Sequence, residues 1–463
     1  MMLGAPRSGI ATRRHLELDT RDQSRGTQGT EMTEAAGRAA GTSWLSAIWS
    51  ARHDPVARMR NVDLCAVLIA ILLPWSTTGV GIAVVLWLIA LVPTIEPRRL
   101  LQSVRRPVAV LPIAFVALAL LGTIWSDAPW SLRLHGVSPT AKLLVLPLLF
   151  YHFERSSRGV WVFTAFLASC ALLAVVSCIV ALDPLLSAKL YFSRGPYRPI
   201  SGIFVKDYID QGQEFSLCAV ALAYPIVTAL REHKTKQALL LASVGLGLVA
   251  NMVFVVVSRT ALVTMPIMLA VFALLHLRPR LAVATLCALA LLAAAAWYAS
   301  PHLRTTVDKF FTDYDYTATQ NVESGIGSRL EYWKKSLRFF IAAPVIGHGT
   351  GSTRGLFEQA AAGQVGARAQ VVTNPHNQTL NVAVQWGAVG VAVLYAMWLL
   401  HLSLFRGEGL ANWVGLLVVV QNIVTSLFNS HLFDFHEGWM YVLGVGVAGG
   451  MALAQRVDSQ RKA

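Results

Sequence analysis

From residue 62 to residue 454 the chain is a succession of apolar stretches separated by short polar or Pro/Gly-bearing connections. Repeated apolar runs of about 17–22 residues with few charges predict membrane-crossing helices. Twelve spans can be drawn, at 62–75, 79–92, 108–125, 140–153, 160–182, 213–230, 238–257, 260–277, 281–298, 380–402, 410–428 and 439–454. The expected fold is all-α: a polytopic transmembrane helical protein of about twelve spans. A partly helical loop domain lies between spans nine and ten. The boundaries follow as a basic, disordered cytoplasmic tail at 1–58, spans one to nine at 59–299 and the polar loop at 300–379. Spans ten to twelve follow at 380–455, then a short tail at 456–463. No internal repeat and no barrel-type alternation is visible.

Composition supports this class. The 463 residues are 55% hydrophobic and only 14% charged, against about 25% charged in ordinary soluble domains. The formal net charge of +14 raises nucleic acid as a partner, but basic loops on the cytoplasmic side explain it more simply. Arg98, Arg99, Arg105 and Arg106, then Arg155 and Arg158, then Arg231, Lys234 and Lys236, then Arg278 and Arg280, then Arg406 fall in alternate connections. The basic termini belong to the same set, so both ends are expected in the cytoplasm, as an even span count requires. The opposite face then carries 125–139, 183–212, 258–259, 301–379 and 429–438. In a bacterium it is the periplasmic face of the inner membrane. No apolar core follows the early basic residues, so a cleavable signal peptide is not expected. Cys65, Cys170, Cys178, Cys218 and Cys287 all sit in apolar runs, without metal-ligand spacing or a disulfide framework.

Candidate chemistry collects on that second face. Arg259, in VVVSRTALV, stands between two apolar runs, where a charge is costly unless it meets a cavity or a partner. A snorkelling interfacial arginine is the plainer reading. GSRLEYWKKSLRFF predicts an amphipathic helix with Leu330, Trp333, Leu337 and Phe340 on one stripe and Arg329 flanking it. It starts at Gly327 or is capped by Ser328. APVIGHGTGS is a glycine-rich turn whose backbone can approach a ligand closely, but it lacks the Gly-Lys-Ser/Thr ending of a phosphate loop. His348 within it is read as structural. In TNPHNQTL, Pro375 puts His376 at the mouth of the tenth span, where a neutral imidazole can take a proton from a hydroxyl. Asn377 and Gln378 either orient sugars or cap the helix. HLFDFHEGW supplies His431, Asp434, His436 and Glu437 without an established metal spacing; Asp434 orienting His376 or pairing with an arginine is preferred. Arg194, Arg198, Lys206 and Asp207 are candidate contacts for a charged headgroup, with Arg133 and His135 on the same face. A solvated loop is the plain alternative for these.

Three stretches together resemble the O-antigen ligase family, within the wider group that includes O-antigen polymerases and protein O-oligosaccharyltransferases. They are Ser258-Arg259 at a span boundary, SRLEYW leading into APVIGHGTGS, and PHNQTLNVAVQWGAVG. The stretch before the sixth span, ISGIFVKDYID, departs from the family's Gly-Asn-Pro-Asn-like pattern. The resemblance implies glycan transfer from undecaprenyl diphosphate to a sugar hydroxyl of lipid A–core at the periplasmic face, with no nucleotide and no metal cofactor. It places the family's two essential arginines on Arg259 and Arg329, its essential histidine on His376 and an acidic residue on Asp434. The expected partners are that donor, the lipid A–core acceptor and membrane lipids. A transporter or flippase is the alternative from another class, and it calls for repeats and midplane polar sites.

Overall fold

The computed structural model of the chain describes residues 54–183, 202–325 and 327–462. Nearly all of the expected tail, and Arg194 and Arg198, lie outside the described residues. The chain divides into two units, residues 1–61 and 62–463, and the architecture below is that of the second.

Every regular element among the described residues is helical. In chain order these are α1 (Pro55–Leu72), α2 (Thr77–Leu91), α3 (Pro97–Val104), α4 (Pro107–Leu121), α5 (Trp130–Ala141) and α6 (Val145–Phe153). Then come α7 (Gly159–Leu182), α8 (Tyr208–Ala221), α9 (Ala223–Arg231), α10 (Thr235–Phe254), α11 (Arg259–His276) and α12 (Pro279–Ala299). The polar segment contributes α13 (Pro301–Gln320), α14 (Gly327–Ala342) and α15 (Thr353–Ala361). The chain ends with α16 (Gln378–Leu404), α17 (Leu410–Thr425) and α18 (Phe435–Lys462). Local sequence sets many of the starts. Ser76, Asp207, Ser258, Ser300 and Asn377 each cap the following helix by accepting a backbone N–H. Prolines open α3, α4, α12 and α13, where the missing N–H costs nothing.

Twelve helical segments stand where twelve spans were expected, but among the described residues only nine are long and apolar enough to cross a membrane. α3 and α4 together make a tenth only if counted across an 80° bend. α17 has 16 residues, and α1 carries Arg58, Arg60 and Asp63 in its first half. Its apolar remainder is too short to span alone, since a helix rises only about 1.5 Å per residue.

The core is built around α6 and α18, with Phe150, Phe153, Tyr441, Val445 and Ala448 buried. Trp386 and Phe115 meet edge to face at 5.3 Å, and Phe433 closes on both at 6.0 Å. The glycine-rich turn after α14 is spliced into α16. At Gly387 the helix is broken, with φ 60° and ψ −156°. There Ala388 N–H donates to the Pro344 carbonyl (2.8 Å) and Val389 N–H to that of Val345 (3.2 Å). In return His348 N–H donates to Val384 O and Gly349 N–H to Gln385 O, both at 2.9 Å. These glycines therefore bring backbone against backbone of the same chain, rather than against a ligand. His348 is structural, as expected, with Nε2 2.8 Å from Phe339 O.

A Cβ at Gly387 would overlap the Val345 carbonyl, on a backbone conformation that L-residues avoid. Gly387→Ala should therefore destabilise the protein by about 2–4 kcal/mol. Gly355→Ala, where a Cβ meets nothing within 4 Å, should not. Thermal unfolding of the two variants in one detergent checks this.

Candidate functional site

Helix starts and one inter-helix loop converge to form the site. Ser258 is buried and caps α11, which fixes Arg259 as the first helical residue. The Arg259 guanidinium donates to Asp313 Oδ2 on α13 at 3.2 Å and stays about one-third exposed. Arg329 lies in the first turn of α14, whose opening Gly327 N–H is accepted by Ser324 Oγ at 3.2 Å. Its Nη1 donates to Phe428 O at 3.0 Å. Burial weakens the hold of Arg329 on its proton; Tyr208, Tyr332 and Asp434 oppose this, while the nearby Arg259 charge adds to it. Arginine remains charged throughout. Each of the two guanidiniums, whose charges influence one another, belongs to the first turn of a helix, where anions are favoured.

The inward face of α14 differs from the amphipathic expectation. Ser328, Tyr332, Lys335 and Ser336 are buried, whereas Leu337 is 51% and Ile341 66% exposed. The polar side packs on the protein: Lys335 donates to Arg368 O at 2.6 Å, and Tyr332 donates to Gln370. The exposed side is mixed, with Lys334 and Arg338 beside Leu337 and Ile341, while Leu330, Trp333 and Phe340 of the expected stripe are half-buried.

His376 occupies an unusual backbone position. Its φ is +54°, a conformation that marks strain in a non-glycine residue. It is held there because Asn374 Oδ1 accepts the His376 N–H at 2.9 Å. Pro375 and His376 both precede the next helix; α16 starts at Gln378 with Asn377 as cap. The imidazole Nδ1 lies 2.8 Å from Asn429 Oδ1. The same amide donates its Nδ2 hydrogen to Asp434 Oδ2 at 2.6 Å. A carboxylate only accepts, so Asp434 turns the Asn429 NH2 toward itself and the amide oxygen toward His376. That oxygen also accepts from Asn374 Nδ2 at 3.3 Å. His376 therefore carries its proton on Nδ1 and leaves Nε2 with a free lone pair. Burial and the positive Arg329 lower its pKa from 6.5, while the Asn429 bond raises it less, so the ring is neutral at pH 7. Burial pushes the Asp434 carboxyl up to about 7, with Lys142 pulling it down and Asp210 and Asp207 adding to the rise. Lys142 Nζ donates to the carbonyls of Phe433 and Asp434 and so anchors this loop.

Arg259, Arg329, His376 and Asp434 are thus gathered by the fold. Lys206 and Asn377 are not free to bind a ligand. The Lys206 side chain is 5% exposed and bonded to Glu214 (2.9 Å) and to the Leu73 carbonyl. Asn377 accepts from Leu380 N–H and donates to Leu427 O, the capping role of its two readings. Arg198 lies outside the described residues. Arg133 spends its guanidinium on the carbonyls of Ala128 (2.5 Å) and Thr123 (2.8 Å). In HLFDFHEGW, His436 pairs with Asp210 at 2.6 Å and His431 lies 3.8 Å from Glu437. No group of three or more His, Cys, Asp or Glu is placed to hold a metal among the described residues. Asn429 and Asn374 were not among the expected site residues. Asn374 had a signal, since Asn-Pro favours a side-chain-closed turn; Asn429 had only its place between α17 and Asp434.

Residues 244–395, about a third of the chain, match the profile of the O-antigen ligase family. The matched segment contains Arg259, Arg329 and His376, but neither Asn429 nor Asp434. No curated protein matches the chain.

Nitrogen NMR of histidine-labelled protein at pH 8, where Asp434 is ionised, should show His376 as the Nδ1–H tautomer, with its second proton gained only below the ordinary histidine range. Asn429→Leu should release the tautomer preference without unfolding the protein. An unchanged tautomer in that variant would break the chain from Asp434 through Asn429.

Proposed function

We propose that this chain, whose residues 244–395 match the O-antigen ligase family, transfers O-antigen polysaccharide from undecaprenyl diphosphate to a sugar hydroxyl of lipid A–core. The observation that carries the reading is the convergence of Arg329, bonded to the Phe428 carbonyl, and His376, bonded to the neighbouring Asn429, with the Arg259 charge felt at Arg329. The family match and the apolar helices support a multi-pass membrane protein that acts on lipid-linked glycans. The specific donor, the acceptor and a periplasmic site belong to the proposal.

In the reaction, the two guanidiniums bind the donor diphosphate, to which their planar forks are matched. His376 Nε2 takes the proton of the acceptor hydroxyl. The hydroxyl oxygen forms a bond to the anomeric carbon as the bond from that carbon to the diphosphate oxygen breaks, which inverts the centre. The leaving diphosphate gains negative charge, and pre-positioned cations stabilise the charge where it develops. The proton on His376 then passes to water or to the departing diphosphate. Fixed guanidiniums supply what a divalent cation supplies elsewhere, so the proposed reaction needs neither metal nor nucleotide.

A strain lacking its own ligase provides the test. The unmodified chain should restore long O-antigen ladders on lipopolysaccharide, while Arg329→Ala and His376→Ala, inserted at equal level, should abolish them. Arg329→Lys should be poor, because a point charge lacks the fork. Ladders from the His376→Ala protein would end the base role. Glycan chains lengthened on the lipid carrier, or attached to protein, would replace ligase with polymerase or protein transferase.

The pH dependence has a definite sign. Transfer needs neutral His376 and ionised Asp434, so the rate of purified protein should fall as pH drops through about 7, where Asp434 takes up its proton. Asp434→Asn should be slower, and its acid limb should move to lower pH, where His376 alone titrates with a pKa lowered by burial and by Arg329. An acid limb that stays in place would show that Asp434 does not act through Asn429.

A further inference from the structure

A cleft of about 580 Å³ opens at the other end of the helices that build the site. Arg259 starts α11 and His276 ends it; His376 precedes α16 and Leu402 lies at its far end. α17 begins at Leu410 beside the cleft and leads out to Asn429 in the site. The 18 residues of α11 extend for about 27 Å, close to the roughly 30 Å of a bilayer's hydrocarbon core. The cleft therefore lies at headgroup level in one leaflet when the site lies at the opposite interface.

Its walls divide by chemistry. The inner wall is apolar and aromatic: Trp413 packs against Phe272 at 5.1 Å and against His276 at 4.9 Å, with Leu275 and Leu416 continuing the surface. The rim is charged, with Arg231 and Arg406 exposed beside an exposed Glu408. Arg231 uses one Nη to donate to His276 O at 3.2 Å, which fixes its guanidinium at the mouth. Arg406 has no ion-pair partner among the described residues. Two cations over an apolar slot at headgroup depth complement a phosphate joined to hydrocarbon. A soluble anion does not need the slot, and a neutral lipid does not need the arginines.

We propose that this cleft is a phospholipid site, distinct from the candidate active site. The phosphodiester of a membrane glycerophospholipid lies between Arg231 and Arg406, and one acyl chain lies over Val227, Leu275 and Leu416, in front of the buried Phe272 and Trp413. Glu408 is placed to receive the ammonium of an ethanolamine headgroup. The bound lipid braces the far ends of α11, α16 and α17, the helices whose near ends hold Arg259, His376 and Asn429.

Delipidated full-length protein in detergent tests this by native mass spectrometry and thermal unfolding. The probes are palmitoyl-oleoyl phosphatidylethanolamine, the phosphatidylglycerol with the same chains, dioleoylglycerol and inorganic phosphate. Both phospholipids should bind saturably and raise the unfolding temperature, whereas dioleoylglycerol and inorganic phosphate should not. A preference for phosphatidylethanolamine that is lost in Glu408→Gln would add the ammonium contact. The double variant Arg231→Gln/Arg406→Gln should bind phospholipid on the order of tenfold more weakly. The Lys/Lys double variant should keep part of the binding, and Arg98→Gln/Arg105→Gln, on another loop, should keep all of it. Both changed arginines are exposed, so a folded variant is expected; its unliganded unfolding temperature verifies this. Undiminished binding in the Gln/Gln variant would overturn the site. Saturation by inorganic phosphate alone would also overturn it, leaving a free-anion site, and equal binding of dioleoylglycerol would leave only a greasy slot.

Discussion

The amide of Asn429 couples the two halves of the site. It lies between a carboxylate and an imidazole, and each end of a planar amide can satisfy only one kind of partner. Asp434 takes the NH2 group, so His376 meets the oxygen, and the ring's other nitrogen is left basic. Everything else around it serves that arrangement. Lys142 anchors the loop that carries Asp434, Asn374 holds His376 in its left-handed conformation, and Gln378 Oε1 accepts from Leu432 N–H to bind the start of α16 to the same loop. The strain at His376 is local and is balanced by hydrogen bonds from residues on both sides of it.

The arginines answer a different constraint. Like charges repel, and a fold that brings two together must gain from the anion they receive or lose stability. Asp313 offsets Arg259, and the Phe428 carbonyl offsets Arg329, but neither neutralises the pair. Their guanidiniums are consequently left with positive charge to share, which is what the proposed diphosphate donor requires. The histidine alone would be compatible with many hydrolases or transporters. It is the company of the two arginines, on helices from distant parts of the chain, that narrows the chemistry.

Much of this is legible in the amino-acid sequence. Apolar runs locate the helices, and Ser258, Asp207 and Asn377 mark helix starts because short polar side chains before an apolar run act as caps. Arg259, Arg329 and His376 stand out in the sequence, and the fold brings them together, although the resemblance does more than composition to single out Arg329. The departures have physical reasons. Counting spans assumes that every apolar run crosses, whereas α3 turns by 80° into α4 and α1 spends its first turns on charges. The stripe on α14 is legible, but not that Tyr332, Lys335 and Ser336 beside it are buried, because the partners that satisfy them, Arg368 O and Gln370, lie on a distant loop. The GHGTGS turn resembles a ligand loop, since a sequence does not say whose backbone a glycine will approach. Buried amide pairs such as Gln213 with Gln421, 2.8 Å apart, are hidden within apolar runs; they fasten α8 to α17 where no water is available.

The splice at Gly387 has a mechanical meaning. α14 carries Arg329, and the turn that follows it is bonded into the broken helix α16, whose start lies just after His376. At its other end Arg329 holds the Phe428 carbonyl, one residue before Asn429. Cation and base are thus fastened at two points to one frame, and a displacement of α14 carries the histidine's surroundings with it rather than pulling the two apart.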